Sequence, residues 1–404
     1  MTGLTISDRG ASMPESAVRK LKPFADAAKA RGIRVIHLNI GQPDIETPDE
    51  FWQAVRDFPQ QSRTLAYAPS NGLTLCIDGM IEYYGRLDIP LSRKEILVTT
   101  AGSESLLFAI IACCDPGDEI IIPEPYYSNY NGLAAIAGVE LTPFTTYAEN
   151  GYRLPPRAEI ERLVGERTRG ILYSNPGNPT GVVYTPDEIE MLADIARDHD
   201  LFVMSDEVYR EFTYGGTVAT SLLHILDLEQ HAVVLDSVSK RYSACGARVG
   251  CVISRNAAVM ETILKLAMAR LSAPALEQVG AAACVMNTPE AYFEQVRAEY
   301  VQRRDLVHEK LNQIEGVFCP KPAGAFYAMA RIQEIDTEAF ARWLLTDFSL
   351  NGETVMVAPG SGFYGTPGLG HNEIRIAYVS GGGMLERALD ILAVAIPRYR
   401  EISS

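Results

Sequence analysis

The segment Ser237-Val238-Ser239-Lys240 combines residue types that could carry covalent chemistry. Lys240 follows an apolar run and lies among serines and small residues, an unusual neighbourhood for a charge that only contacts water. A lysine amine can form an imine with an aldehyde, while Ser237 and the nearby Arg248 are residue types that bind phosphate. An aldehyde and a phosphate together indicate pyridoxal phosphate. The competing explanation of S-x-x-K is a helix-capping serine followed by ordinary surface bases.

Two other polar sites fit the same interpretation. Asp206 ends an apolar run, where an isolated carboxylate is costly unless it has a cationic partner. A protonated pyridine nitrogen is such a partner, although an ordinary buried ion pair would also serve. Gly102-Ser103-Glu104 opens a helical stretch over residues 105–114, so free backbone N–H groups and the helix dipole favour a phosphate there. Taken alone, a serine at a helix start is more often only an N-cap.

These residues follow short β-branched runs that alternate with amphipathic helical stretches between about residues 95 and 255. The alternation is typical of βαβ units with a mostly parallel sheet. The predicted strands are 96–99, 119–122, 170–173, 201–204, 232–235 and 249–253, and 186–196 is a predicted crossover helix. Polar or glycine-rich segments follow them at 100–104, 123–127, 174–181, 205–207 and 236–240. Because ligands of open α/β sheets bind outside the carboxyl ends of the strands, these segments predict one shared site.

The rest of the chain predicts a second, smaller domain. From about residue 286 the sequence changes to long charged helical stretches and then to an α+β segment. The first 48 residues contain a predicted helix over 15–30 and a strand over 35–39. We therefore predict an N-terminal segment (1–48) that joins the small domain, a large cofactor-binding domain (49–285) and a small C-terminal domain (286–404).

Composition excludes several classes of function. The net charge of −15 disfavours a nucleic-acid footprint or a polybasic membrane patch. Seven cysteines without a C-x-x-C pair, and an N-terminus without a secretory signal, predict a cytoplasmic protein. Scattered histidines give no support for a metal site. Gly360-Ser361-Gly362-Phe363-Tyr364-Gly365 matches G-x-G-x-x-G, but a further loop follows it, so it is not expected to bind a dinucleotide.

Motifs spread over the chain resemble the fold-type I pyridoxal-phosphate-dependent aminotransferases of the aspartate aminotransferase family. They are Asn178-Pro179-Thr180-Gly181, Ser205-Asp206-Glu207-Val208-Tyr209, the segment 237–250 and Asn372-Glu373-Ile374-Arg375-Ile376. The resemblance runs from about residue 39 almost to the C-terminus, in the family's order and approximate spacing. It implies an α/β fold with a large, mostly parallel sheet flanked by helices, plus a smaller α+β domain.

The resemblance also implies a role for individual residues. Lys240 would hold the cofactor as an imine and move the substrate's Cα proton, Asp206 would pair with the pyridine nitrogen, and Asn178 and Tyr209 would hydrogen-bond the phenolic oxygen. Gly102, Ser103, Glu104, Ser237 and Arg248 would hold the phosphate region, Tyr127 would stack on the ring, Tyr67 would reach the neighbouring subunit's phosphate, and Arg375, Gly41 and Asn178 would bind the substrate carboxylate. Tyr126 competes with Tyr127 for the stacking position. Arg241 replaces a small or hydroxyl residue of the family, and its role is open.

The implied activity is a ping-pong exchange of an amino group between an L-amino acid and a 2-oxo acid such as 2-oxoglutarate, in a homodimer with shared active sites. Aspartate is the favoured donor, and aromatic amino acids, prephenate and alanine are alternatives. A carbon–sulfur lyase or a synthase acting on adenosylmethionine stays open, because no motif sets which bond to Cα breaks. A non-catalytic regulator is disfavoured, since no helix-turn-helix domain precedes the first motif.

Overall fold

Strands built from β-branched runs alternate with amphipathic helices along most of the chain. The structure is a computed structural model and describes residues 4–403. The strands are β1 Arg34–His37, β2 Ile96–Thr99, β3 Glu119–Glu124, β4 Glu140–Thr145, β5 Thr168–Ser174, β6 Phe202–Asp206, β7 Ala232–Ser237, β8 Gly250–Ile253, β9 Val317–Phe318, β10 Tyr327–Ile332, β11 Glu353–Met356, β12 Ala358–Pro359 and β13 Glu373–Ala377. The helices are α1 Asp8–Ala11, α2 Lys22–Ala30, α3 Asp49–Gln61, α4 Thr74–Gly85, α5 Ala101–Cys113, α6 Asn129–Ala137, α7 Arg157–Glu161, α8 Pro186–His199, α9 Val238–Arg241, α10 Ala257–Arg270, α11 Ala275–Asn287, α12 Glu290–Asn312, α13 Thr337–Thr346 and α14 Gly382–Ser403.

The central sheet has seven strands in the order β2-β8-β7-β6-β5-β3-β4. Neighbouring strands from β7 to β4 run parallel, whereas β8 is antiparallel to both β2 and β7. Helices cover both faces, which explains why the middle strands are continuous apolar runs. The carboxyl ends of β5, β6 and β7 therefore meet at one edge of the sheet. This arrangement confirms the predicted α/β class with a mostly parallel sheet.

A smaller α+β part carries the C-terminal strands. β12, β13, β10 and β9 form an antiparallel sheet, and β1 from the N-terminal segment pairs in parallel with β11. One apolar cluster joins Leu21 and Ile36 to Leu344 and Ile391. These contacts support placing the first 48 residues with the small domain, and the three-part division stays a prediction.

The N-terminal helix is shorter than predicted. The expected helix over 15–30 begins only at Lys22, and residues 17–21 form turns instead. Pro23 explains the difference: proline lacks an N–H and clashes with the carbonyl four residues earlier, so it is tolerated only in a first helical turn. The turns leave Ser16, Val18 and Arg19 facing a cavity described below.

Other boundaries differ in smaller ways. β4 was absent from the predicted strands, and α5 begins at Ala101, so Gly102 and Ser103 lie within its first turn. Gly360–Phe363 forms a short 3₁₀ turn after β12 and opens no helix of a βαβ unit, in agreement with its exclusion as a dinucleotide site. Over residues 4–403, no helix is both long and apolar enough to cross a membrane.

Candidate active site

A cavity of about 530 Å³ opens at the carboxyl ends of β6 and β7, in front of the first turn of α5. Apart from Glu104 and Tyr67, all of the predicted site residues line it: Gly41, Gly102, Ser103, Tyr127, Asn178, Asp206, Tyr209, Ser237, Lys240, Arg248 and Arg375. Tyr127, and not Tyr126, lies on the cavity wall. The fold thus brings together residues that lie more than 300 positions apart in the chain.

Glu104 and Tyr67, the two exceptions, do not line the cavity. The side chain of Glu104 accepts a hydrogen bond from the Thr100 N–H at 2.7 Å and pairs with Arg270 at 3.1 Å. Only its backbone N–H, which lacks a partner within the helix, could serve a phosphate. Tyr67 is 82% exposed on the surface of this chain.

Lys240 projects from α9, a single helical turn. The Ser237 hydroxyl caps this turn by accepting from the Ser239 N–H at 3.0 Å. The Lys240 amine donates to the Gly41 carbonyl at 3.0 Å and lies 3.7 Å from the Cys245 thiol. Burial lowers the pKa of this amine, but Tyr327 and Cys245 raise it, and the net pKa lies above its ordinary value. The amine is therefore held inside the cavity by a neutral backbone acceptor.

The first turn of α5 presents free donors to the cavity. The first backbone N–H groups of a helix have no intrahelical partner. In α5 the side chain of Thr100, at the N-cap position, does not cap them either. Gly250 allows β8 to pack against the turn, since a Cβ there would lie 2.7 Å from the Ala101 carbonyl carbon. Ser237 is buried beside the turn, and the exposed Arg248 lines the same wall. Helix N–H groups, a hydroxyl and a guanidinium form a suitable anion site.

Asp206 lies at the end of β6 without a cationic partner among residues 4–403. Its Oδ2 accepts from the Tyr130 hydroxyl at 2.7 Å, and its Oδ1 accepts from the Val208 N–H at 3.4 Å. Burial raises the pKa of Asp206 from 3.8 to about 6, and these two hydrogen bonds offset part of that effect. A carboxylate in this position would gain from a protonated ring nitrogen brought into the cavity.

Asn178 and Tyr209 belong to one hydrogen-bonded chain. The Asn178 amide donates to the Tyr209 hydroxyl at 3.4 Å, and the Tyr209 hydroxyl lies 3.0 Å from the Tyr327 hydroxyl. Tyr327 in turn leaves no space for a side chain at position 41, because a Cβ at Gly41 would lie 1.8 Å from the Tyr327 hydroxyl oxygen. The glycine is therefore required where its carbonyl meets the Lys240 amine.

Arg375 lies in the middle of β13 and is only 2% exposed. It donates to the Asn178 side-chain oxygen at 3.0 Å and to the Asn39 carbonyl, and its guanidinium lies 4.6 Å from the ring centre of Tyr327. Its Nε has no hydrogen-bond partner, and burial lowers the pKa of the guanidinium. A buried guanidinium that pairs with no carboxylate of residues 4–403 is suited to a carboxylate ligand.

Sequence reasoning missed several residues of this cavity, chiefly Tyr130, Tyr327, Cys245 and Arg19. Tyr130 follows Tyr127 by three positions at the start of α6, so helical spacing could have indicated it. Tyr327 and Arg19 carry no local signal, because strand pairing and chain turns far from the other motifs place them here.

The comparisons with known proteins agree with this geometry. The family described as aminotransferase class I and II matches residues 33–392. Aspartate aminotransferase of Bacillus subtilis is 30% identical over 397 residues, covering 96% of this chain and 98% of the relative. Aromatic-amino-acid aminotransferase 2 of Thermococcus litoralis is 29% identical, covering 96% and 97%. The solved structure of an alanine aminotransferase from Pyrococcus furiosus superposes with a TM-score of 0.89 at 29% identity, covering 98% of this chain and all of that one.

Proposed function

This chain belongs to the class I and II aminotransferase family, and we propose that it binds pyridoxal phosphate at Lys240 and transfers the amino group of aspartate to 2-oxoglutarate by a ping-pong mechanism. The observation that carries the proposal is the convergence of Lys240, Asp206 and Arg375 on one cavity. An amine, an unpaired carboxylate and an unpaired guanidinium are the groups that such a reaction needs.

The residues around the cavity fit the cofactor in kind and in charge. The N–H groups of Gly102, Ser103 and Glu104, with Ser237 and Arg248, would hold the phosphate. Asp206 would gain its missing cation from the ring nitrogen. Asn178 and Tyr209 would donate to the phenolic oxygen, and Tyr127 would cover one ring face. When bound, pyridoxal phosphate supplies an aldehyde for covalent bonding and a protonated ring that withdraws electrons from Cα.

The chain's own groups would then perform the proton transfer. Arg375 would fix the substrate α-carboxylate and so aim the Cα–H bond. The Lys240 amine, once released by the incoming amino group, would take the Cα proton as a base and return it as an acid. Asp206 would keep the ring nitrogen protonated, so its effect should fall on the chemical step more than on substrate binding.

Arg19 supports a dicarboxylic substrate. The cavity is lined by Arg19, Lys240, Arg248 and Arg375 but by a single carboxylate, Asp206. The phosphate, the cofactor bond and the α-carboxylate would occupy the other three cations, which leaves Arg19 for a side-chain carboxylate. Arg19 makes no ion pair with residues 4–403, and its segment is anchored because the Asn39 amide donates to the Val18 carbonyl at 2.8 Å.

A neighbouring cavity of about 220 Å³ favours aromatic donors as a second candidate. It shares Ser16, Ser103 and Asn129 with the main cavity and has apolar walls from Met13, Leu133 and Ile136. A larger apolar side chain could extend into it.

A donor panel tests the proposal. With 2-oxoglutarate as acceptor, aspartate is expected to have the highest specificity constant, and Arg19→Ala should lower it about tenfold or more while alanine is unaffected. Lys22→Ala is a matched control, since Lys22 is exposed on the same segment and pairs with Asp26. Higher specificity for phenylalanine or tyrosine would replace aspartate with the second candidate. Release of pyruvate and ammonia from cystathionine without any 2-oxo acid would mean a lyase.

We also propose that the chain works as a homodimer. Tyr67, which the resemblance assigns to the partner's phosphate, is exposed on this chain, and so are the large apolar side chains of Leu65 and Trp52. Sedimentation should give twice the monomer mass of 44.3 kDa, and a monomer with full activity would contradict the shared site.

A further inference from the structure

Arg241 directly follows Lys240 in the same helical turn, α9. It is only 1% exposed and does not line the cavity. Its Nη2 donates to the Asp236 Oδ2 at 2.6 Å, and its guanidinium lies 3.9 Å from the ring centre of Tyr83. Burying a guanidinium and a carboxylate costs solvation energy, so the net contribution of such a pair to stability is small.

The Asp236–Arg241 pair anchors both ends of the turn that carries Lys240. Asp236 is the last-but-one residue of β7, and its Oδ1 accepts from the Ser237 N–H at 2.7 Å. The same carboxylate thus holds the residue that caps the turn and, through Arg241, the residue that ends it. Lys240 lies between these two anchors. A turn of four residues is not stable by itself, so its orientation depends on such side-chain contacts.

A second buried pair, Arg210 and Glu207, connects Asp236 to the segment that follows β6. Arg210 lies 3.6 Å from Asp236, donates to the Tyr84 hydroxyl at 3.0 Å and pairs with Glu207, the residue after Asp206. The Tyr84 hydroxyl donates to the Asp236 Oδ2 at 2.9 Å. Glu211 also belongs to the network, since it lies 3.8 Å from the Arg241 Nε and 3.8 Å from the Arg297 guanidinium, so three carboxylates face three guanidiniums. The network therefore touches the neighbours of both Asp206 and Lys240 from behind the cavity.

The surroundings of Asp236 and Arg241 keep both side chains charged. Burial opposes the charge on Arg241, but Asp236 and Tyr83 hold its pKa well above the ordinary value. Burial also raises the pKa of Asp236, yet Arg241 and Arg210 outweigh it and leave the pKa below the ordinary value. Since a guanidinium stacks on a ring and bonds a carboxylate as a planar group, lysine would replace Arg241 only in part.

We propose, building on the proposed function, that Arg241 is a positioning residue: its buried bond to Asp236 sets where the Lys240 amine stands relative to the cofactor and to substrate Cα. Arg241 touches neither of them and acts only through the turn. A displacement of the amine by about 1 Å is enough to lower the rate of proton transfer strongly.

The test compares Arg241→Gln with Arg304→Gln in the holoenzyme. Arg304 is also buried, pairs with Asp305 at 2.7 Å and lies 5.1 Å from the Tyr214 ring centre, and it does not line the cavity. Both variants should lose thermal stability. Only Arg241→Gln should lower kcat, by about 10- to 100-fold with KM for 2-oxoglutarate nearly unchanged. It should also shift the pKa read from the absorbance of the bound cofactor by about half a unit or more.

Wild-type kcat and absorbance pKa in folded Arg241→Gln would overturn the proposal and leave Arg241 a purely structural residue. If that variant does not fold, Arg241→Lys serves instead, with a smaller kcat loss of about 3- to 10-fold and a shift of the same sign expected; wild-type values would again overturn it. The proposed function fails separately: a wild-type protein without cofactor on Lys240 would refute both ideas, whereas a normal wild type with unchanged Arg241 variants refutes this one alone.

Discussion

The unpaired carboxylate of Asp206 gives a prediction about stability that is independent of activity. Burial raises the pKa of Asp206 from 3.8 to about 6 in the cofactor-free chain. Between these two values the folded state binds the proton more tightly than the unfolded state, so the free energy of unfolding falls as pH rises. The difference of about 2 units corresponds to at most about 3 kcal/mol, since each unit is worth about 1.4 kcal/mol. Asp206→Asn removes this pH-dependent fall in the free energy of unfolding.

The assay is denaturant unfolding of the cofactor-free protein between pH 4 and pH 7.5. The stability of Asp206→Asn relative to wild type should rise across this range by up to about 3 kcal/mol, with most of the change below pH 7. The cost of placing an amide beside Tyr130 is common to all pH values and cancels. Adding pyridoxal phosphate should stabilise wild type more than the variant, because only the carboxylate gains a charged partner.

Asp305→Asn is a control with the opposite sign. Partial burial raises the pKa of Asp305, but hydrogen bonds from Arg304 and Lys321 bring it below the ordinary value. Its contribution to stability is complete above about pH 5 and is lost as pH falls through its lowered pKa, so Asp305→Asn should become relatively less stable between pH 4 and about pH 5 and then stay constant. A pH-independent difference for Asp206→Asn, or one that follows the Asp305 control, would refute the reasoning about Asp206.

Two further predictions concern the same cavity. Tyr130→Phe removes the hydroxyl that donates to Asp206 at 2.7 Å, so the pKa of Asp206 should rise further and the pH-dependent loss of stability should move to higher pH; an unchanged pH profile would contradict the assigned hydrogen bond. Arg375→Lys loses the planar fork and should lower kcat/KM for amino acids about 10- to 100-fold. The control is Arg331→Lys, on the neighbouring strand and paired with Glu149, which should keep wild-type kinetics. Equal losses of kcat/KM in the two variants would contradict a special role of Arg375.

The sequence predicted the edge of the sheet well because chemistry-bearing residues there follow strands that are themselves recognisable. Asp206 ends β6 and Lys240 follows β7, so the rule that ligands bind beyond strand ends was sufficient to group them. β4 was missed because Pro143 interrupts its apolar run, and proline is compatible with an edge strand. The predicted helix over 15–30 is too long, because Pro23 is compatible only with the first turn of a helix and the apolar pattern before it does not form one.

The long-range parts of the cavity could not be predicted. Tyr327 meets Tyr209 across 118 positions, and it does so because β10 pairs with β13 in a particular register. Arg19 faces the cavity only because the chain turns before α2. Arg241 was visible as an unexplained charge, but its bond to Asp236 depends on which side of a single turn it occupies. Such contacts depend on tertiary packing, which local patterns do not encode.

The central claim, that Lys240 is the covalent carrier of the cofactor, has a direct test. The protein is incubated with pyridoxal phosphate, reduced with borohydride to convert an imine into a stable amine, digested and examined by peptide mass spectrometry. The account predicts a pyridoxyl-phosphate adduct on the peptide containing Lys240 and on no other lysine, with the adduct absent in Lys240→Ala. An adduct on a different lysine, or full transaminase activity in Lys240→Ala, would contradict it.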